Sequence, residues 1–206
     1  MGGVTTVNPT SQRGRPGYSR DDVIRAAVRA FNSRGYDATS MGHVAQDLGI
    51  SKSALYHHIT SKEEILEESV ASALSNLEEA FRDVIAADLT PGETIRQLIY
   101  GSVAVLCADA ESVTLLLRLR GNSEVELRAL SRRRELTRSV IPLIARAQES
   151  GEIRSDISPA VLTRMCFGLV NSLADWYEPG GELGPEQIAQ DVVALLFGGL
   201  DSPHRP

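Results

Sequence analysis

Apolar residues return every three or four positions along most of this chain, and no stretch sustains the strict alternation of a half-buried strand. A pattern of that period buries its apolar surface only as amphipathic helices packed on one another, so the expected fold class is all-α. Ser19, with Asp22 three positions on, has the spacing of a capping box, and Val23, Ile24, Ala27, Val28 and Phe31 then form one stripe that stops at Gly35. Thr39 or Ser40 caps a short second helix through about Leu48; Gly49 breaks it, and Ser51 caps a third across 52–58. Ser61 opens a long fourth helix to about Ala87, where Leu89, Thr90, Pro91 and Gly92 end it. Five more segments follow at about 93–108, 111–120, 123–150, 159–177 and 185–197, which makes nine helices in all.

Charge divides the chain unevenly. The net charge is −6, yet residues 1–62 carry eight Lys and Arg against four acids, while the other 144 residues carry 13 against 23. A basic module of +4 is therefore joined to an acidic body of −10. Residues 1–18, rich in Gly, Pro, Thr, Ser and Arg and without apolar period, are expected to be a disordered arm. No apolar run approaches the roughly 18 residues of a membrane span, and the start of the chain lacks a basic patch followed by an apolar stretch. A soluble, cytoplasmic protein without a membrane partner is expected. Cys107 and Cys166 lie in apolar helical runs and read as reduced core residues, so neither a metal nor another cofactor is implied.

A short helix, a glycine turn and a second short polar helix, backed by an amphipathic helix, is the arrangement that lays a recognition helix in the major groove. In this chain it spans 39–48, Gly49-Ile50-Ser51 and 52–58. A helix that short is unstable alone in water, so Ala45, Leu48, Ile50, Leu55 and Ile59 are expected to bury against helix one and the start of helix four. Lys52, Ser53, Tyr56 and His57 then point outward, with donors suited to phosphate oxygens and base edges.

The runs Tyr36-Asp37-Ala38-Thr39-Ser40-Met41-Gly42-His43-Val44-Ala45 and Gly49-Ile50-Ser51-Lys52-Ser53-Ala54-Leu55-Tyr56-His57-His58, continued by Ile59-Thr60-Ser61-Lys62-Glu63-Glu64-Ile65-Leu66, resemble the DNA-binding signature of the tetracycline-repressor (TetR/AcrR) family. Ile59 stands where that family usually has Phe. The resemblance implies a nine-helix architecture, with a helix-turn-helix domain at 19–65 and a ligand-binding and dimerisation domain at 66–206. It implies a homodimer on double-stranded, palindromic operator DNA. By the same resemblance Thr39, Tyr56 and Lys62 hold phosphates, Lys52 and Ser53 approach bases or nearby backbone, and His57 or His58 adds a contact; Ser40 is counted with them. Arg13 and Arg15 resemble arms that enter the minor groove.

In that family the last two helices pair with their copies as a four-helix bundle. Leu162, Met165, Leu169, Leu173 and Trp176 on helix eight, and Val192, Leu195 and Leu196 on helix nine, suit either that interface or the subunit's own core. The stretch 171–181 is similar to the Asn-Trp-x-x-x-Trp-Tyr-x-Pro-x-Gly of family members that respond to coenzyme A thioesters, with Ser172 in place of the first Trp. The alternative is that Trp176 and Tyr177 anchor the dimer core. Between Ser112 and Val140, seven arginines meet three glutamates, a +4 island suited to phosphate groups. For Arg132, Arg133 and Arg134 a solvated face paired with acids is preferred. Arg118 and Arg120 lie beside Leu115, Leu116, Leu117 and Leu119, where an acyl group and a charged head both fit. Tyr100, Arg118, Arg120, Asn171 and Trp176 are therefore the candidate ligand-binding side chains.

Enzymatic constellations are missing: there is no glycine-rich phosphate loop after a strand, no His-Glu-x-x-His, no Cys-x-x-Cys and no Gly-x-Ser-x-Gly. A ligand-responsive repressor, its inducer an acyl-CoA, is the first reading. A multidrug-type repressor sensing lipophilic cations is the alternative, favoured if acids border the pocket where the first reading requires arginines.

Overall fold

Side-chain caps set where the helices begin. In the computed structural model, which describes residues 18–200, α1 (Arg20–Arg34) opens on the expected box: the Asp22 N–H donates to Ser19 Oγ at 3.2 Å, and the Ser19 N–H donates to Asp22 Oδ2 at 2.9 Å. α2 (Met41–Leu48) is capped by Ser40, not Thr39, with His43 closing the box; α3 (Lys52–Tyr56) is capped by Ser51. Between them Gly49 sits at φ +65°, a left-handed turn that an L side chain rarely adopts. α4 (Lys62–Ala86) starts at Ser61, and α5 (Pro91–Ala108) starts at Thr90 with Pro91 in its first turn. The arm that holds Arg13 and Arg15 lies outside the described residues.

At Asp109 the chain bends by 104° into α6 (Ala110–Arg118), which crosses α1. α7 (Glu124–Ser139), α8 (Ile141–Glu149), α9 (Pro159–Trp176) and α10 (Pro185–Gly198) complete ten segments among the described residues. α7 and α8 fill the segment expected as one helix. Pro142 has no N–H to offer the Arg138 carbonyl one turn back, so the ladder breaks at Val140 while the order of the elements is that of the nine-helix architecture. Among the described residues no single helix is long and apolar enough to cross a membrane.

Two cores are joined by one rod. The first gathers Val28 and Phe31 of α1, Val44 of α2, Leu55 of α3 and Leu66 and Val70 of α4, and it continues to Leu115 and Leu116 of α6 and Ala129 of α7. The second packs Phe81, at the far end of α4, with α5, α8, α9 and α10. α4, 25 residues and so roughly 37 Å long, runs through both. The expected boundary near residue 65 therefore falls inside a continuous helix.

α6 is fastened to α1 near both its ends. Asn32 Nδ2 donates to the Glu111 carbonyl at 2.8 Å, and Arg118 Nη1 donates to the Asn32 carbonyl at 2.8 Å. Beyond α6 the loop is organised by one buried carboxylate: Glu126 Oε2 accepts the N–H groups of Arg120, Gly121 and Asn122 at 3.0, 2.9 and 3.3 Å. Asn122 in turn reaches Asp37 in the α1–α2 turn at 3.0 Å. Glu126→Ala leaves three N–H groups without this acceptor and is expected to lower the unfolding free energy by about 2–3 kcal/mol. Urea denaturation at neutral pH checks this, and wild-type stability in the variant refutes it.

Candidate functional site

Two features of the fold have the chemistry of a site: an exposed face on the N-terminal helices and a cavity in the second core. On the first, α3 is held from behind by Leu55 and Ile59, which are 0% and 1% exposed, so its other side must face water. That side presents Lys52, Ser53, Tyr56 and His57, while His58 is half-buried at the helix end. Tyr56, at 50% exposure, is one of the large side chains most open to solvent in this part of the chain.

A hollow of about 490 Å³ lies between the N-terminus of α2, the face of α3 and the start of α4, bordered by Ser40, Gly42, Lys52, Tyr56, Thr60 and Lys62, with the carboxylates of Asp37 and Glu63 also in its lining. Free N–H groups and the positive end of a helix make such a place receptive to an anion. Lys52 folds across it so closely that a Cβ on Gly42 would meet Lys52 Cε at 2.7 Å. Lys62 is partly engaged within the chain: Nζ donates to the Tyr36 carbonyl at 3.2 Å and lies 4.4 Å from the centre of the Tyr36 ring. At the α3–α4 turn the hydroxyl and N–H of Thr60, followed by Arg20, push the Glu64 carboxyl down to about 2. Arg34 is paired with Asp47.

Thr39 departs from expectation. It is 2% exposed, and its hydroxyl donates to the Gly35 carbonyl at 2.8 Å, with the Ala30 carbonyl at 3.3 Å. Its side chain closes the α1–α2 turn and is not available to a phosphate. The residue type suited both roles, and only the packing of α1 decides between them.

The cavity in the second core measures about 470 Å³ and lies between α4, α5, α6, α7 and α9. Leu77, Phe81, Leu106, Val113 and Phe167 supply apolar wall, and Arg133, Arg134, Arg138 and Arg164 supply charge. No Asp or Glu lines it, and among the described residues none of these four arginines is in an ion pair. The arginine island thus divides by helix face. Arg128 and Arg132, one turn apart, are paired with Glu67 and Glu78 of α4, Arg132 through two bonds of 2.6 Å, and the Arg132 guanidinium holds the Glu78 carboxyl below its usual range. Arg134 and Arg138, also one turn apart, face the cavity. The expected acid pairing is met at Arg132; Arg134 is exposed but has no acid partner among the described residues, and Arg133 is half-buried with none.

Of the five candidate ligand residues only Asn171 borders this cavity. Arg118 and Arg120 line a separate hollow of about 620 Å³ between α1 and the α6–α7 loop; Arg118, whose Nη1 donates to the Asn32 carbonyl, also lines a further hollow of about 400 Å³ with Arg133, Asn171 and Asp175. Tyr100 packs half-buried in the second core; Trp176 is 54% exposed and lines none of these hollows. None of the four cavity arginines, Arg133, Arg134, Arg138 and Arg164, is among those five candidates. Helical spacing within the island could have separated 134 and 138 from 128 and 132, whereas Arg164 carries no local signal.

α9 also bears an uncovered apolar stripe. Val161, Met165 and Trp176 are 43%, 57% and 54% exposed, and Leu195 of α10 is 39% exposed. The two cysteines are buried and free, and burial pushes both thiols up. Among the described residues no group of three His, Cys, Asp or Glu side chains is placed to hold a metal ion.

Comparison with known proteins extends over the whole described chain. Residues 23–69 match the family described as bacterial regulatory proteins, tetR family, and residues 88–200 match the tetracyclin repressor-like, C-terminal domain. A TetR-family regulator from Streptomyces coelicolor A3 is 36% identical with a TM-score of 0.78, covering 98% of this chain and 97% of that one. The HTH-type transcriptional repressor KstR2 of Rhodococcus jostii RHA1 is 28% identical over 191 residues, which is 90% of this chain and 92% of the relative. AibR, solved in complex with isovaleryl coenzyme A and operator DNA, is 26% identical with a TM-score of 0.71, covering 86% of this chain and 97% of that one.

Proposed function

The chain belongs to the TetR family of bacterial regulatory proteins, DNA-binding regulators and not enzymes, and on that footing we propose a repressor that grips a palindromic operator as a homodimer and lets go when an acyl-CoA thioester fills its sensor cavity. The observation that carries the ligand class is the cavity lining: an apolar wall beside four arginines and no carboxylate. Guanidinium groups bind phosphate oxygens in bidentate fashion, and the apolar wall suits an acyl chain. A lipophilic cation would meet four like charges there. KstR2 and AibR, the second solved with isovaleryl coenzyme A, are consistent with this assignment.

On the DNA side, α3 lies in the major groove, with Lys52 and Ser53 near base edges and Tyr56 and Lys62 on phosphates beside the α2 N-terminus. Ser40, His57 and His58 flank that face, and Arg13 and Arg15 reach the minor groove. The dimer forms through the open stripe of α9 and α10. That stripe leaves Val161, Met165, Trp176 and Leu195 open to water, and a second copy supplies a matching one to cover them.

Three outcomes are expected. Tyr56→Phe and Lys62→Met weaken binding to the operator and to unrelated duplex by similar factors, and Lys62→Met lowers the salt slope by about one. Unchanged affinity in both removes the phosphate assignment. Met165→Arg converts the dimer to monomer at micromolar concentration in sedimentation and weakens operator binding by roughly a hundredfold, because one half-site is lost; a monomeric wild type refutes the interface. Operator release titrated with acyl-CoA thioesters, their free acids, free coenzyme A and tetraphenylphosphonium separates the ligand classes. Thioesters release; acids and coenzyme A, each with half of the contacts, do so poorly; Arg138→Gln or Arg164→Gln raises the thioester concentration required by about tenfold. Release by the cation and by no thioester overturns the ligand class.

A further inference from the structure

Arg133 takes part in two structures at once. Its side chain borders the sensor cavity, half-buried, and its Nη1 donates to the main-chain carbonyl of Leu116 at 3.1 Å. Its neighbour Arg132 is clamped by Glu78, but Arg133 has no carboxylate within ion-pair distance among the described residues. Burial, and next the charge of Arg134, push its guanidinium below the usual range. A partly desolvated cation with one neutral acceptor is poorly compensated. An anion entering the cavity is a stronger partner for it than a peptide carbonyl.

The other end of that bond is equally placed. Leu116 belongs to α6 and lies in the core shared with α1, α2 and α3. Two residues on, Arg118 holds the Asn32 carbonyl of α1, and at the far end of α6 Asn32 Nδ2 holds the Glu111 carbonyl. Any shift of α6 is therefore handed to α1, against which α2 packs.

Resting on the reading of the cavity as the seat of an anionic inducer, we infer that Arg133 is the residue that relays cavity occupancy to the DNA-binding helices. The anionic group of the ligand draws the guanidinium off the Leu116 carbonyl, which unties the last turn of α6 from α7, and α6 then shifts and carries α1 with it. This gives the ligand different contacts in the two states, which is the only way binding can shift the equilibrium between them. A molecule of the right shape that offers no anion at this point fills the cavity and leaves the operator bound.

The test measures operator affinity of the full-length dimer by fluorescence anisotropy, without ligand and at saturating thioester, with saturation established by calorimetry. The ratio of the two affinities is the coupling. Arg133→Gln is expected to bring that ratio down at least tenfold, toward one, at thioester concentrations that still saturate. Arg134→Gln removes the same charge from the same cavity but has no hydrogen bond to α6. It is expected to weaken thioester binding and keep the wild-type ratio at saturation. If Arg133→Gln does not fold, Arg133→Lys serves instead: one ammonium satisfies fewer acceptors at a time, and the ratio falls between wild type and one. A wild-type ratio in the Arg133 variants, or an equal collapse in Arg134→Gln, overturns the relay. So does complete loss of thioester binding in Arg133→Gln, which would make this residue an anchor. Failure of every thioester to bind the wild type rejects the ligand reading itself.

Discussion

A five-residue helix has no stability of its own in water, and α3 is such a helix. Its position is supplied from outside: Ser51 caps it, Gly49 sets its angle to α2, and Leu55 and Ile59 anchor it in a core to which α1, α2 and α4 contribute. That core does not end with the DNA-binding helices. It takes in Leu115 and Leu116 of α6, so the element with the exposed polar face and the element that borders the cavity of the second core share the same packed side chains. Close-packed interiors transmit displacement because they leave no free volume to absorb it. A recognition helix that cannot stand alone is in consequence open to control by whatever moves its support.

Charge follows the same economy of placement. The α7 arginines facing α4 meet glutamates, and those facing the cavity meet none. Pairing with an acid satisfies a guanidinium within the subunit and takes it out of contention for a ligand. An unpaired one beside an apolar wall remains available, and the less solvent it has, the more it gains from an incoming anion. The acidic body does not contradict this local positive field: no carboxylate lines the cavity, and several, such as Glu126, Glu152 and Glu78, are engaged in a loop, a helix start or an outward arginine.

Much of the fold was legible because its determinants are local. The Ser19–Asp22 box, the Ser51 and Ser61 caps, the left-handed Gly49 and the proline starts of α9 and α10 involve residues within four positions of one another, and each stands where its spacing put it, whereas Thr90 and Pro91, expected to end α4, instead cap and open α5. The outward face of α3 was legible for the same reason, since a helix buried on one side by Leu55 and Ile59 must expose the other. The misplaced features were long-range. Thr39 is a cap by composition and a buried turn-closing hydroxyl by packing. Arg118 sits beside leucines in sequence, and in space it both clasps α1, 86 positions away, and lines a hollow with Arg133 and Asn171, which no local pattern announces.

What the amino-acid sequence determined by itself is the order of the helices, most of their capped ends, the sidedness of each and the reading motif, because hydrogen-bond caps and apolar period act over a turn or two; the break at Val140 between α7 and α8 stood outside that reading. Only the tertiary structure decided which arginines are paired and which are free, and where the cavity lies. Those outcomes depend on what α4, α6 and α9 place opposite α7, and residues as far apart as Glu78 and Arg132, or Arg133 and Arg164, become neighbours only when the helices pack.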